Sequence, residues 1–62
     1  MIDFKVTFYM HDGSREIYDN LAHIEFYNEF VLIQDWNGAT LTIDNNKFDR
    51  FDVVQYYDIL GG

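Results

Sequence analysis

The stretch Phe4-Lys5-Val6-Thr7-Phe8-Tyr9-Met10-His11-Asp12-Gly13-Ser14 decides the fold. From Ile2 to Met10 apolar residues take every second position, with Asp3, Lys5, Thr7 and Tyr9 between them. A period of two puts alternate side chains on opposite faces, so this run is a strand with one buried side and one wet side. Asp12-Gly13 then supplies a turn, because the central positions of tight hairpin turns need φ above zero and these residues tolerate it. The same pattern repeats outward. Asn28-Glu29, Asn37-Gly38 and Asn45-Asn46 separate further aromatic-rich runs at intervals of roughly 8–16 residues, with no helical period between them. The expected fold is all-β: a small, strongly bent antiparallel sheet or partly closed barrel of roughly 5–6 short strands joined by hairpins, with at most one short helical turn near 46–50.

Facing follows from spacing. Arg15 to Asp19 reads as a short strand with Ile17 inward, ended by Asn20. Leu21 to Tyr27 and Phe30 to Trp36 read as a hairpin around Asn28-Glu29. A two-residue loop there sets Tyr27 opposite Phe30, Phe26 opposite Val31 and Ile24 opposite Ile33. On that register an exposed Phe26 would signal a slip of one residue. Tyr27, Phe30 and Leu32 make the other face apolar as well, which suits a central hairpin or an interface. After Asn37-Gly38 a tight loop pairs Leu41 with Gln34, whereas a wider loop or a bulge reverses the facing, and the sequence leaves both open. Asn46 is placed to cap one helical or 3₁₀ turn carrying Phe48 and Phe51, after which Phe51 to Leu60 reads as extended and Gly61-Gly62 as a flexible end. The expected core is Phe4, Val6, Phe8, Ile17, Ile24, Phe26, Val31, Ile33, Leu41, Ile43, Phe51 and Val53.

Sixty-two residues make a single β domain, 1–62, and at this size only about 60% of the extended chain's surface is buried. With no cysteine there is no disulfide and no thiolate site, so the aromatic content of 19% or self-association must compensate. The net charge is −7, from eleven acids and four bases. Lys5, Arg15, Lys47 and Arg50 are too few to release counterions from DNA or RNA, so direct nucleic-acid binding is disfavoured. The acids suit either a solvated surface or one shaped for a basic groove on another protein. Met1 leads straight into a strand pattern, without the basic and apolar segments of a signal peptide or the roughly 18 apolar residues of a membrane span. A cytoplasmic location is the expectation, with no membrane partner.

Chemistry-bearing patterns are sparse. His11 and His23 lack the further ligands a metal needs, Ser14 sits in a turn, and a thiolate nucleophile is excluded. Asp49 with Asp52, or Asp35 with Asp44, offers paired carboxylates without the cleft that glycosidase chemistry requires. Asp44-Asn45-Asn46-Lys47 begins like an EF-hand loop, but Phe48 falls where a third oxygen ligand belongs. The reading is no enzyme, no cofactor and no metal. What remains is aromatic. Tyr9, Tyr18, Tyr27, Trp36, Tyr56 and Tyr57 cannot all be core in so small a body, and Tyr and Trp dominate interface hot spots. The residues expected to bind a partner are Tyr27, Phe30, Trp36, Tyr56 and Tyr57, with the interleaved acids Glu25, Glu29 and Asp58.

The layout Phe4-Lys5-Val6-Thr7-Phe8, Asp12-Gly13-Ser14, Ile24-Glu25-Phe26 and Phe30-Val31-Leu32-Ile33 resembles small acidic all-β orphan proteins of bacteriophages and prophages. The resemblance implies an accessory factor, encoded by a phage and acting in the host cytoplasm. Such factors bind and inhibit host nucleic-acid-binding or defence proteins, in some cases by imitating nucleic-acid charge. From a different class comes a second expectation, a self-associating structural or assembly protein. The homodimer would form through sheet edges or through a Tyr27/Phe30/Trp36 face.

Overall fold

The computed structural model describes residues 2–57. Five antiparallel strands form one open sheet: β1 (Ile2–Met10), β2 (Arg15–Phe26), β3 (Phe30–Asp35), β4 (Thr40–Asp44) and β5 (Phe48–Tyr57), in the order β4-β3-β2-β1-β5. Three hairpins make a meander. The chain then crosses from one edge of the sheet to the other through a single 3₁₀ turn, Asn45–Lys47. The sheet bends enough for that turn to touch both ends of the meander. The His11 N–H donates to the Lys47 carbonyl at 3.2 Å, and the Asn45 N–H donates to the Glu29 carbonyl at 3.0 Å. The core is Val6, Phe8, Leu21, Val31, Ile33 and Ile43, with Phe4, Met10, Tyr18, Ile24 and Phe48 packed against it. Phe8 is its centre, with the Phe48 ring centroid 4.9 Å away and the Tyr18 ring edge-on at 6.1 Å.

Both glycine turns follow one plan. Met10 N–H donates to the Ser14 carbonyl and Gly13 N–H to the Met10 carbonyl, while Asp35 and Ala39 are joined in the same way around Gly38. Each is a three-residue loop whose last residue, Gly13 at φ 89° or Gly38 at φ 91°, takes the left-handed conformation. The wider loop at Asn37-Gly38 decides the facing left open by the sequence: Ile33 pairs with Leu41 and Val31 with Ile43. Asp12 and Asp35 turn their carboxylates onto the loop N–H groups that follow them, as their turn positions favour.

β2 is one strand of 12 residues, not two. Asn20, at φ 55°, does not end it but forms a bulge, seen as a register shift between Phe4/Leu21 and Val6/Tyr18. A second shift lies between Leu21 and His23. Each extra residue reverses the facing, so Tyr18, Leu21 and Ile24 all point inward although they do not follow the strand period of two. Ile17, expected inside, is therefore on the outer face opposite Thr7 and is 54% exposed.

The central hairpin has the expected register, Phe26 opposite Val31 and Ile24 opposite Ile33. Phe26 is nevertheless 54% exposed, so its exposure marks the end of the core and not a slip. It stacks on Phe51 at 5.0 Å. Leu41, Phe51 and Val53 are likewise exposed, although each pairs with a core residue, Ile33, Phe8 and Val6 respectively. They lie on the two edge strands, where no neighbouring strand covers them. The 3₁₀ turn starts earlier than expected and is capped by Asp44, whose carboxylate accepts from Asn46 N–H at 2.9 Å. Phe48 and Phe51 belong to β5, which shifts register between Tyr9/Arg50 and Met10/Phe48 and so brings both rings to the core side. The expected ends at Asp58 to Gly62 lie outside the described residues.

Candidate functional site

The bulge at Asn20 divides the neighbours of β2. From Arg15 to Leu21 the strand pairs with β1, and only from Leu21 onward does it also have β3 on its other side. Among the described residues the Arg15–Asp19 segment therefore has one unpaired edge, and β4, at the margin of the sheet, has another. Between these two edges lie two adjoining hollows that share Tyr18 and Leu41, the larger about 330 Å³ and the smaller about 150 Å³. Leu21, Ile33, Leu41 and Tyr18 form the apolar floor, and Ala39, Thr40 and Thr42 line the β4 side. The rim is acidic. Glu16, Asp19, Asp35 and Asp44 line the groove, against Lys47 as the single base among its lining residues.

These carboxylates are fixed by local bonds. Tyr56 Oη donates to Asp19 at 2.5 Å, and this bond, followed by that from Asn20 N–H, holds the Asp19 carboxyl below the usual carboxylate range. Glu16 accepts from Tyr18 Oη at 2.7 Å. Partial burial first, and then this bond to an anion, push the Tyr18 phenol up to about 12. Asp35 accepts from the Asn37 and Ala39 N–H groups at 2.9 and 3.0 Å, and Asp44 is the cap of the 3₁₀ turn. The acids are thus held in fixed directions, and among the described residues none of them forms an ion pair.

The residues expected to bind a partner separate into two groups. Tyr27 and Phe30 meet at the tip of the β2–β3 hairpin, with ring centroids 4.9 Å apart and Tyr27 N–H donating to the Phe30 carbonyl at 2.9 Å. Glu25 joins them, accepting from Tyr27 Oη and from His23 Nε2, and these bonds hold its carboxyl below the usual range. Glu29 sits in the same turn, its carbonyl tied to Asn45. Trp36 lies at the other end of β3, about 20 Å away at the rise of a strand, so Tyr27, Phe30 and Trp36 form no continuous face. Trp36 instead meets Asp3, and Asp3 pairs with Tyr56. Tyr57 is exposed at the end of β5, and Asp58 lies outside the described residues.

The pairing with Asp3 is absent from the sequence reading. Asp3 is only 1% exposed, although its place in β1 belongs to the wet side. Trp36 Nε1 donates to its Oδ1 at 2.6 Å, while Oδ2 has no hydrogen-bond partner among the described residues. The groove was also missed, because it exists only if β2 continues through Asn20. The one available signal was Asn20 itself, a residue that tolerates the left-handed conformation a bulge requires.

Each histidine pairs with one carboxylate, His11 Nδ1 with Asp49 and His23 Nε2 with Glu25 at 2.8 Å. Among the described residues no three His, Cys, Asp or Glu side chains gather as a metal site, and no helix is long and apolar enough to cross a membrane. Compared with family models, curated proteins and solved structures, the chain matches none.

Proposed function

We propose that this chain is a non-enzymatic protein-binding module whose acidic groove docks on a basic surface of a nucleic-acid-binding protein. It would act as a phage-type inhibitor of host or defence machinery in the host cytoplasm. The supporting observation is the groove itself. An apolar floor ringed by Glu16, Asp19, Asp35 and Asp44 offers area to bury and a charge that selects the partner. A basic surface that normally holds phosphate is the natural complement, and the opposite charges would speed encounter.

The test is retention of basic proteins on the immobilised chain, followed by displacement with duplex DNA or with RNA. The reading expects a retained protein that nucleic acid releases. It also expects the Glu16→Gln/Asp19→Asn/Asp44→Asn variant to retain much less, since each change keeps an acceptor and removes a charge. A retained protein that nucleic acid cannot displace, or equal retention by the variant, would refute it.

The free edges of β4 and β5 support a second reading, a homodimer through sheet edges, with Phe51, Val53 and Tyr57 exposed along β5. Self-repulsion of −7 per chain is screened by salt, so such a dimer would strengthen as salt rises. Light scattering on a salt series separates the two readings.

A further inference from the structure

The groove is bounded by backbone as well as by side chains, and the phase of the β3–β4 ladder tells which groups are free. Asp35 N–H bonds the Ala39 carbonyl and Asn45 N–H bonds the Glu29 carbonyl. Hydrogen-bonded pairs alternate along an antiparallel ladder, so Ala39, Leu41, Ile43 and Asn45 face β3. Thr40, Thr42 and Asp44 then direct their N–H and carbonyl groups off the edge, towards the groove. The same argument from Met10 and Ser14 leaves Arg15 and Ile17 with backbone groups directed to that side.

Two unpaired strand edges facing an apolar floor favour an extended ligand, because a strand satisfies the edge and sends alternate side chains to one face. The charge of the rim specifies its chemistry. Four carboxylates against one lysine select a segment that carries Lys or Arg between its apolar residues. A second copy of this chain, itself at −7, is a poor electrostatic match.

We propose that the groove takes an extended basic segment of the partner protein, which adds as a strand to the free edge of β4 and places alternate apolar side chains on the Leu21/Ile33/Leu41 floor. This rests on the reading of the groove as a protein-binding site and specifies how the partner is held. At five residues, β4 accommodates a segment about 17 Å long.

The probe is a fluorescent peptide of alternating valine and lysine with blocked termini, titrated with the full chain and followed by anisotropy. Thr42→Pro removes one free N–H without touching the β3 ladder, a position where an edge strand tolerates proline. A peptide N-methylated on its pairing edge does the same from the ligand side and leaves the protein unaltered. The proposal expects saturable binding by the wild-type chain, a loss of about tenfold or more with either change, and an unchanged circular dichroism spectrum for the variant. Wild-type affinity for both altered partners would overturn strand addition. If binding then still fell in the Glu16→Gln/Asp19→Asn/Asp44→Asn variant, acidic docking would stand without it. Full binding by that variant would remove the acidic-groove reading itself. Absence of saturable binding at low salt, or a chain dimer that Thr42→Pro dissolves, would overturn the proposed occupant.

Discussion

Replacing Trp36 with phenylalanine should destabilise this domain far more than its half-exposed position suggests. The indole N–H is the donor to Asp3 Oδ1, at 2.6 Å, and Oδ2 has no partner among the described residues. Phenylalanine keeps most of the ring and removes the donor, so a carboxylate that is only 1% exposed would lose the one side-chain hydrogen bond it accepts among the described residues. A hydrogen bond to a charged group contributes about 1.5–3 kcal/mol, and leaving that group buried and unsatisfied places the cost in the upper part of the range. The lost apolar contact adds little, because Trp36 is itself about half exposed. The expected loss is therefore about 2–3 kcal/mol, or roughly 8–24 °C in Tm for a domain of this size. Urea unfolding followed by far-ultraviolet circular dichroism measures it, since the variant lacks the single tryptophan. Asp3→Leu in the Trp36→Phe background should recover much of the loss by removing the unsatisfied group altogether. A Trp36→Phe variant within about 0.5 kcal/mol of wild type, or a double variant weaker than the single one, would refute the reasoning.

Other outcomes follow from the same geometry. Phe8→Ala should cost about 3–5 kcal/mol, close to the whole stability of a domain this small, whereas Phe26→Ala should cost far less; chemical denaturation of both checks the order. Gly38→Ala should cost about 1–2 kcal/mol from backbone strain alone, because φ is 91° and nothing lies within 4 Å of the added methyl group; thermal unfolding measures it. In acid, Asp12, Asp19 and Glu25 have folded-state carboxyls below their ordinary values of 3.8 and 4.5. Their contribution is full above those values and is lost as pH falls through the lower folded ones, which an acid unfolding series detects. In alkali the sign reverses: the contribution of Tyr18 is full below pH 10 and is lost as pH rises towards about 12, so tyrosinate absorbance should lag behind that of the free side chain until the domain unfolds.

How far the sequence could be read depends on the reach of each signal. Alternation in β1 and the two-residue loop at Asn28-Glu29 are local, and they yield the strand and the Phe26/Val31 register found in the fold. Asn20 and Ala22 lie where β2 gains extra residues, and a bulge looks like a strand end when only polarity is visible. This hid the facing of Ile17, the burial of Leu21 and the groove. Leu41, Phe51 and Val53 show a different limit: their pairing with core residues follows from period, but their depth depends on which strands become edges, a property of the topology. Asp3 is the extreme case, because the donor to its buried carboxylate is Trp36, 33 positions away along the chain. Of the residues expected to bind a partner, Tyr27, Phe30, Glu25 and Glu29 cluster at one hairpin tip, while Trp36 and Tyr56 gather around Asp3.

The most direct test of the acidic groove as a docking site is amide chemical-shift mapping of the 62-residue chain against a basic partner retained in the displacement experiment, at low and at high salt. The account predicts that the shifts concentrate on Glu16 to Asp19 and Ala39 to Asp44, and that they fade as salt rises. Shifts centred on the Tyr27/Phe30 tip or on the β5 edge, or shifts indifferent to salt, would contradict it.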